Sequence, residues 1–172
     1  MTRILIVDDE PRVLSALQRA LRQRFGDRLQ IETNTDALAA LGRAREQFFE
    51  IVVSDLRMPE MDGISFLTLI AAVQPSSVRV MLTGSSDFET AQRAINDAGI
   101  FRYLCKPWSD VELASHIEAA LLQSQLAARQ REEAAASDPQ ALERRRLEAL
   151  EPGITHVEWG PHGEVLMPES IG

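Results

Sequence analysis

The 172-residue chain lacks several features that mark whole classes of protein. It has one cysteine, Cys105, which excludes an internal disulfide framework and suits a reducing compartment. No apolar run approaches the roughly 18 residues that a membrane-spanning helix needs. The first residues also lack the layout of a signal peptide. The sequence therefore predicts a cytoplasmic protein that does not associate with a membrane.

Basic residues are also in short supply. The net charge is −8 at pH 7, and the one basic run, residues 144–146, lies between Glu143 and Glu148. Proteins that bind nucleic acid usually present a basic face. Only one short helix is predicted after the longest helix, so no helix-turn-helix is indicated. Charge and motif content thus favour partners other than nucleic acid.

What the sequence does contain is a regular alternation of short apolar runs and amphipathic segments over about 125 residues. This alternation predicts a doubly wound α/β fold, in which crossover helices cover a five-stranded parallel sheet. The candidate strands are residues 3–7, 29–33, 50–54, 78–82 and 101–105. Apolar residues at helical spacing predict helices over residues 11–24, 36–47, 64–73, 87–97 and 109–135. Capping boxes at residues 86–89 and 109–112 mark the starts of the last two helices.

After this region the sequence predicts a long helix, followed by a short helix and a β-hairpin. From Ser109 no helix breaker occurs before Ser137, so the last helix of the domain is extended, about 28 residues or roughly 40 Å long. A short helix over residues 139–150 and a β-hairpin with strands at 154–159 and 164–167 follow. We divide the chain into a domain at 1–125, a helical extension at 126–153 and a hairpin tail at 154–172. The chain after the domain rarely buries enough apolar surface to fold alone. We therefore expect it to dock on the domain, on the long helix or on a partner chain.

Chemically suggestive residues lie where the apolar runs end. Three of these residues carry carboxylates, one carries a hydroxyl and one carries an ammonium. They are Asp8, Asp9, Asp55, Thr83 and Lys106. In an open parallel sheet, ligand sites lie beyond the carboxyl ends of the strands, so these ends converge in space. Surface aspartates that cap helices and turns are the alternative interpretation. That alternative suits Asp9 alone better than it suits the whole set.

Three carboxylates, a hydroxyl and an ammonium are suited to a divalent cation and a phosphoryl group. Mg²⁺ binds carboxylates together with waters and phosphate oxygens, so Asp8, Asp9 and Asp55 are candidate metal ligands. The backbone carbonyl of Arg57, just after Asp55, is a further one. A carboxylate can also attack phosphorus itself and form an acyl phosphate, the role that we assign to Asp55. Lys106 and the metal would neutralise charge, and the Thr83 hydroxyl would bond a phosphoryl oxygen.

These residues and their surroundings resemble the receiver domain of two-component response regulators. The resemblance covers residues 1 to about 125. It rests on the acidic pair Asp8 and Asp9, the acceptor Asp55, the loop at residues 58–63, Thr83, and Lys106 with Pro107. It implies the strand order 2-1-3-4-5, often with a cis bond before Pro107. It also implies a protein that takes a phosphoryl group from a histidine kinase, with Mg²⁺, and that catalyses this transfer and a slow dephosphorylation itself.

Two residues near Lys106 have alternative interpretations. Tyr103 lies where receivers carry a switch aromatic that moves inward when the threonine, here Thr83, is drawn to the phosphoryl group. Ordinary half-buried packing on a strand is the alternative. Cys105, between Leu104 and Lys106, is expected to be a small buried side chain, and a redox sensor is the alternative.

Three functions are compatible with the sequence. In the first, phosphorylation of Asp55 switches a partner or dimer interface on the face formed by residues 87–97, 101–105 and 109–135, without a DNA-binding output. In the second, the long helix and the hairpin form a constitutive homodimer that acts as an interaction scaffold. In the third, the chain is a phosphorelay intermediate, which exchanges phosphoryl groups with a kinase or phosphotransfer protein. Asp55→Asn would abolish signalling in the first and third cases and leave scaffolding intact.

Overall fold

The computed structural model describes residues 1–84 and 99–137, together with residues 143, 146, 147, 149, 158, 159, 165 and 166. The strands are β1 (Thr2–Val7), β2 (Leu29–Asn34), β3 (Ile51–Asp55), β4 (Val78–Gly84), β5 (Ile100–Lys106), β6 (Glu158–Trp159) and β7 (Val165–Leu166). The helices are α1 (Pro11–Phe25), α2 (Ala37–Glu46), α3 (Gly63–Val73) and α4 (Asp110–Ser137), and a 3₁₀ turn, Gly26–Arg28, follows α1.

Strands β1 to β5 form one parallel sheet in the order β2-β1-β3-β4-β5, which confirms the predicted order. Successive side chains of a strand point to opposite faces of the sheet. Ile4 and Ile6 of β1 therefore lie in the core between the sheet and helices α1 and α4. Leu5 and Val7 lie in a second core, between the sheet and helices α2 and α3. Helices on both faces make the fold doubly wound, as predicted.

The helix starts follow from capping residues. Pro11 occupies the first turn of α1, and the Asp36 carboxylate accepts from the backbone N–H groups at the start of α2. Before α4, the Ser109 hydroxyl accepts from the N–H of Glu112, while the Glu112 carboxylate accepts from the N–H of Ser109 at 2.9 Å. This reciprocal pair is the predicted capping box. The other predicted box, at residues 86–89, and the predicted helix at 87–97 lie outside the described residues.

The extended last helix is present, because α4 runs from Asp110 to Ser137. The predicted short helix at 139–150 lies largely outside the described residues. Of the predicted hairpin, four residues are described, and they pair antiparallel as Glu158 with Leu166 and Trp159 with Val165. None of the helices in the described part of the chain is both long and apolar enough to cross a membrane.

Cys105 is exposed, so the expectation that it is buried was wrong. The cysteine lies on β5, an edge strand of the sheet. Its neighbour Leu104 points into the core against α1 and α4, so Cys105 points to the opposite face. An apolar residue on an edge strand is less reliably covered than one on a central strand, and the apolar run alone does not show which of its side chains a helix covers.

Candidate functional site

The residues predicted at the strand ends do meet at one edge of the sheet. Asp55 is the last residue of β3 and Lys106 is the last of β5, while Thr83 is the penultimate residue of β4. Asp8 directly follows β1 and is fully buried, and Asp55 is only 6% exposed. Side chains of this polarity are rarely buried unless they are paired. Their partners therefore define the site.

A single ammonium group joins the two buried carboxylates. The Nζ atom of Lys106 lies 2.7 Å from Oδ2 of Asp8 and 2.7 Å from Oδ1 of Asp55. Lys106 is the only lysine among the 172 residues, and the other basic side chains, apart from histidine, are all arginines. The cis peptide bond between Lys106 and Pro107, which the family resemblance led us to expect, is also present. Two carboxylates thus share one cation, and the cluster of three groups keeps a net negative charge.

Burial and the mutual contacts of Asp55, Asp8 and Lys106 shift the pKa values of Asp55 and Lys106. Burial raises the pKa of the Asp55 carboxyl above its ordinary value, and the Asp8 charge adds to this effect, whereas Lys106 opposes it. Burial alone would lower the pKa of the Lys106 ammonium, but its hydrogen bonds to Asp55 and Asp8 outweigh burial and raise that pKa. Lysine therefore stays charged at neutral pH. The site favours an additional positive charge near Asp55.

The backbone around Asp55 is held by several hydrogen bonds. The N–H of Arg57 donates to Oδ2 of Asp55 at 2.9 Å, so the loop after the strand orients the carboxylate. The N–H of Leu56 donates to the carbonyl of Leu82 on the neighbouring strand. The Ser54 hydroxyl donates to the Asp55 carbonyl at 2.9 Å. Sequence reasoning missed Ser54, although a polar residue in an otherwise apolar central strand was a visible signal.

The predicted metal ligands are only partly brought together. Among residues 1–84 and 99–137, no three carboxylate, imidazole or thiol groups lie close enough to hold a metal ion jointly. Asp8 and Asp55 meet through Lys106, while the parts of Asp9 and of the Arg57 carbonyl in a metal site stay predictions. Mg²⁺ is often bound by only one or two carboxylates, with waters and phosphate oxygens completing its octahedron. The buried carboxylate oxygens of Asp8 and Asp55 are hard donors, so the donor chemistry suits Mg²⁺.

The two candidate switch residues lie on neighbouring strands. The Thr83 hydroxyl is buried and donates to the carbonyl of Gly84 at 3.1 Å. Tyr103 pairs with Met81 on β4, two residues before Thr83, and packs against the core under α2 and α3. Burial raises the pKa of the Tyr103 phenol, so the hydroxyl is neutral at pH 7. The half-buried position of Tyr103 leaves both interpretations open, as a switch residue or as a packing residue.

Comparison with known proteins agrees with this geometry. A family model described as the response regulator receiver domain matches residues 4–118. The chain is 36% identical over 118 residues to the hydrogenase transcriptional regulatory protein HoxA of Bradyrhizobium diazoefficiens, a match that covers 69% of this chain and 24% of HoxA. It is 37% identical over 118 residues to the transcriptional regulatory protein ZraR of Escherichia coli K12, covering 69% and 26%. The chain thus spans about a quarter of the length of these two curated relatives.

Among solved structures, the chain is similar to the signal receiver domain of an HD domain-containing protein from Pseudomonas fluorescens Pf-5. The two share 33% sequence identity with a TM-score of 0.68, over 74% of this chain and 92% of that one. The part of the chain that carries the strand-end residues is therefore similar to other proteins in both sequence and fold.

Proposed function

Because the chain belongs to the response regulator receiver domain family of two-component systems, we propose that it is phosphorylated on Asp55 and signals in the cytoplasm through a phosphorylation-dependent interface. Receiver domains interact with histidine kinases or phosphotransfer proteins, which would supply the phosphoryl group. The observation that carries the proposal is the placement of Lys106, whose ammonium lies 2.7 Å from a carboxylate oxygen of both Asp8 and Asp55.

The proposed reaction is a transfer of a phosphoryl group from a histidine nitrogen to a carboxylate oxygen. An Asp55 oxygen attacks phosphorus, the P–N bond of the donor breaks as the new O–P bond forms, and the imidazole leaves and takes up a proton. Lys106 is already in place to pair with the negative charge that arrives with the phosphoryl group. The Thr83 hydroxyl would turn from the Gly84 carbonyl and donate to a phosphoryl oxygen. Hydrolysis of the acyl phosphate by water resets the site.

Receiver domains generally bind Mg²⁺ at the phosphorylation site. In this chain, Asp8, Asp9, Asp55 and the Arg57 carbonyl would hold the ion. The bound ion would neutralise the charge on the phosphoryl oxygens and on the crowded carboxylates. The contact geometry supports this assignment, because Asp8 and Asp55 share the single Lys106 ammonium and so keep a net negative charge.

Thr83 and Tyr103 would couple phosphorylation of the site to a change at the partner-binding face. Movement of the Thr83 hydroxyl frees space beside β5, and Tyr103, which is half-buried on that strand, turns inward. The face formed by β5 and α4 would then change its affinity for a partner. Tyr103→Ala should leave phosphorylation intact and reduce the difference in partner affinity between the two states.

Self-association through the last helix is a second candidate, as a scaffold or as the switched interface. On α4, Leu122 is 58% exposed and Leu126, one turn later, is 45% exposed. Neighbouring exposed leucines on a helix are a common basis of pairing with a second helix. Light scattering on size-exclusion peaks, with and without Mg²⁺ and beryllium fluoride, separates the cases. A dimer in both conditions supports the scaffold, whereas a shift that Asp55→Asn blocks supports the switch.

The predicted independence from nucleic acid gains no support from the comparisons. Both curated relatives described above are transcriptional regulatory proteins by name. The acidic charge of this chain, −8 at pH 7, is what favours a protein partner. A DNA-binding measurement with the full chain, in both phosphorylation states and at stated salt, tests that preference.

The central experiment is phosphorylation by phosphoramidate, a small donor with a P–N bond like that of phosphohistidine. The wild-type chain should gain one phosphoryl group, which base and hydroxylamine release as expected for an acyl phosphate, in Mg²⁺ and none in EDTA. Asp55→Asn should gain none. Asp27→Asn, an exposed aspartate in the 3₁₀ turn, is the matched control and should behave as wild type. Labelling of Asp55→Asn at the wild-type rate would refute Asp55 as the acceptor.

A further inference from the structure

Ser54 is a buried polar residue in the middle of the sheet. It precedes Asp55 on β3 and pairs with Val7 of β1 and Met81 of β4. Its side chain is fully buried, and the neighbouring strand positions Val52 and Val53 are apolar. A buried hydroxyl carries a desolvation cost that only a hydrogen bond offsets. Its partner therefore indicates what the residue does.

The partner is the backbone carbonyl of the proposed phosphoryl acceptor. The Ser54 hydroxyl donates to the Asp55 carbonyl oxygen at 2.9 Å. The first residue of α3, Gly63, packs against the same oxygen so closely that a Cβ atom there would overlap with it. The carbonyl is thus held by a hydrogen bond from Ser54 and by steric contact with Gly63. The peptide between Asp55 and Leu56 is fixed in orientation as a result.

That peptide leads directly to the groups that orient the acceptor. Its N–H belongs to Leu56 and donates to the Leu82 carbonyl at 2.9 Å, which ties the loop to β4. The next N–H, of Arg57, donates to Oδ2 of Asp55, also at 2.9 Å. A rotation of the first peptide would displace the second. The Ser54 hydroxyl therefore acts on the carboxylate through two successive peptide groups.

We infer that Ser54 is a positioning residue for the phosphoryl-transfer reaction, which sets the Asp55 carboxylate and the Arg57 backbone in their reactive arrangement. The inference rests on the proposed function, because it assigns Ser54 a part in the reaction of Asp55. Reaction rates fall steeply when a reacting group is displaced by a fraction of an ångström. Loss of the hydroxyl should therefore slow phosphorylation without removing any group that touches the donor.

The test compares Ser54→Ala with wild type in the phosphoramidate reaction, at a temperature where both are fully folded. We expect the rate constant to fall by about five- to twentyfold. Ser54→Thr keeps the hydroxyl and should recover the rate to within about threefold of wild type. Hydrogen exchange at the Arg57 amide gives a readout independent of the reaction. That amide should exchange faster in Ser54→Ala than in wild type, whether or not donor is present.

Ser77 provides a matched control. It is also buried, and its hydroxyl donates to a backbone carbonyl, that of Phe49, at 2.6 Å. Phe49 precedes β3 and Ser77 precedes β4, so this bond lies at the end of the sheet opposite to Asp55. Ser77→Ala should lower the melting temperature as Ser54→Ala does, yet leave the phosphorylation rate and Arg57 exchange unchanged.

The outcomes separate this inference from the proposed function. If wild type is phosphorylated and Ser54→Ala reacts at the same rate, or no more slowly than Ser77→Ala, the positioning role is wrong. If wild type takes no phosphoryl group on Asp55, the proposed function fails and the kinetic role fails with it. Should Ser54→Ala not fold, Ser54→Cys replaces it, because the thiol keeps the volume but donates weakly. A wild-type rate in that variant overturns the inference equally.

Discussion

Gly63, the first residue of α3, lies directly against the backbone carbonyl of Asp55, the last residue of β3. The Gly63 N–H donates to the Leu56 carbonyl at 2.8 Å, so the start of the helix is tied to the end of the strand. The glycine is needed here for space, since any Cβ atom would overlap with the Asp55 oxygen. The start of α3 can therefore approach the end of β3 this closely only because residue 63 has no side chain.

Gly63→Ala should consequently be destabilising and should slow phosphorylation. The added methyl group must push the loop away from Asp55, at a cost of about 1–3 kcal/mol in the free energy of unfolding. Urea denaturation measures the loss, and the phosphoramidate reaction measures the effect on the site. Gly42→Ala is the control, because an added Cβ there meets nothing within 4 Å. That change lies in α2 and should stabilise by about 0.5–1 kcal/mol. Equal stability of the two variants would contradict the steric argument.

Gln74, just after α3, binds the end of α2 and the connection to β3, at the end of the sheet away from the site. Its side-chain amide donates to the carbonyls of Ala44 and Gln47, at 2.5 and 2.6 Å, and its carbonyl accepts from the N–H of Phe49. Gln74→Leu leaves these buried backbone groups unpaired and should cost about 2–4 kcal/mol in unfolding free energy. Below the melting transition the phosphorylation rate should stay at the wild-type level. A slow reaction in a fully folded variant would show that the two ends of the sheet are coupled.

The charge balance of the site predicts a pH-dependent gain in stability for Asp55→Asn in metal-free buffer. Because burial raises the folded-state pKa of Asp55, the charged carboxylate destabilises the folded chain at neutral pH. Asparagine removes that charge, so the melting temperature should rise at pH 7. The gain should shrink as the pH falls through the folded-state pKa, because the wild-type carboxyl then becomes neutral as well. Melting curves in EDTA at several pH values test this, and a gain that does not depend on pH would contradict it.

Glu60, in the loop after the acceptor, has a backbone φ of +63°, which side chains other than glycine rarely adopt. Glu60→Gly should relieve this conformation and stabilise the folded chain by up to about 1 kcal/mol. Glu60→Ala keeps the Cβ atom and should change stability little, so it separates the backbone effect from loss of the carboxylate. Thermal melts of the two variants decide the point. Equal stabilisation by alanine and glycine would indicate a charge effect instead.

The part of the site that the sequence predicted best depends only on topology. Parallel strands bring their carboxyl ends to one edge, so Asp8, Asp55 and Lys106 could be grouped from the order of the apolar runs alone. The close contact of Lys106 with both carboxylates follows from that placement. The capping box at the start of α4 was equally predictable, since both partners are near in sequence.

The features that the sequence did not predict depend on tertiary neighbours. Burial of Cys105 was expected, but its exposure depends on how far the helices cover an edge strand of the sheet. The hydrogen bonds of Ser54 and Gln74 depend on which backbone groups are left without partners where strands end and helices begin. For Ser54 the available signal was a polar residue in an otherwise apolar strand, whereas Gln74 is followed by Pro75 and two serines and gave no such signal.

The lone lysine makes the site chemically addressable. Because every other basic side chain except histidine is an arginine, Lys106 is the one side-chain amine of the chain. An amine-directed acylating reagent would thus add at most one label beyond the α-amino group, and that label would lie between Asp8 and Asp55. Occupation of the site by a phosphoryl group would cover the amine and slow its labelling. Mass spectrometry of the intact chain could then follow the signalling state without a radioactive donor, an antibody or a fluorescent tag.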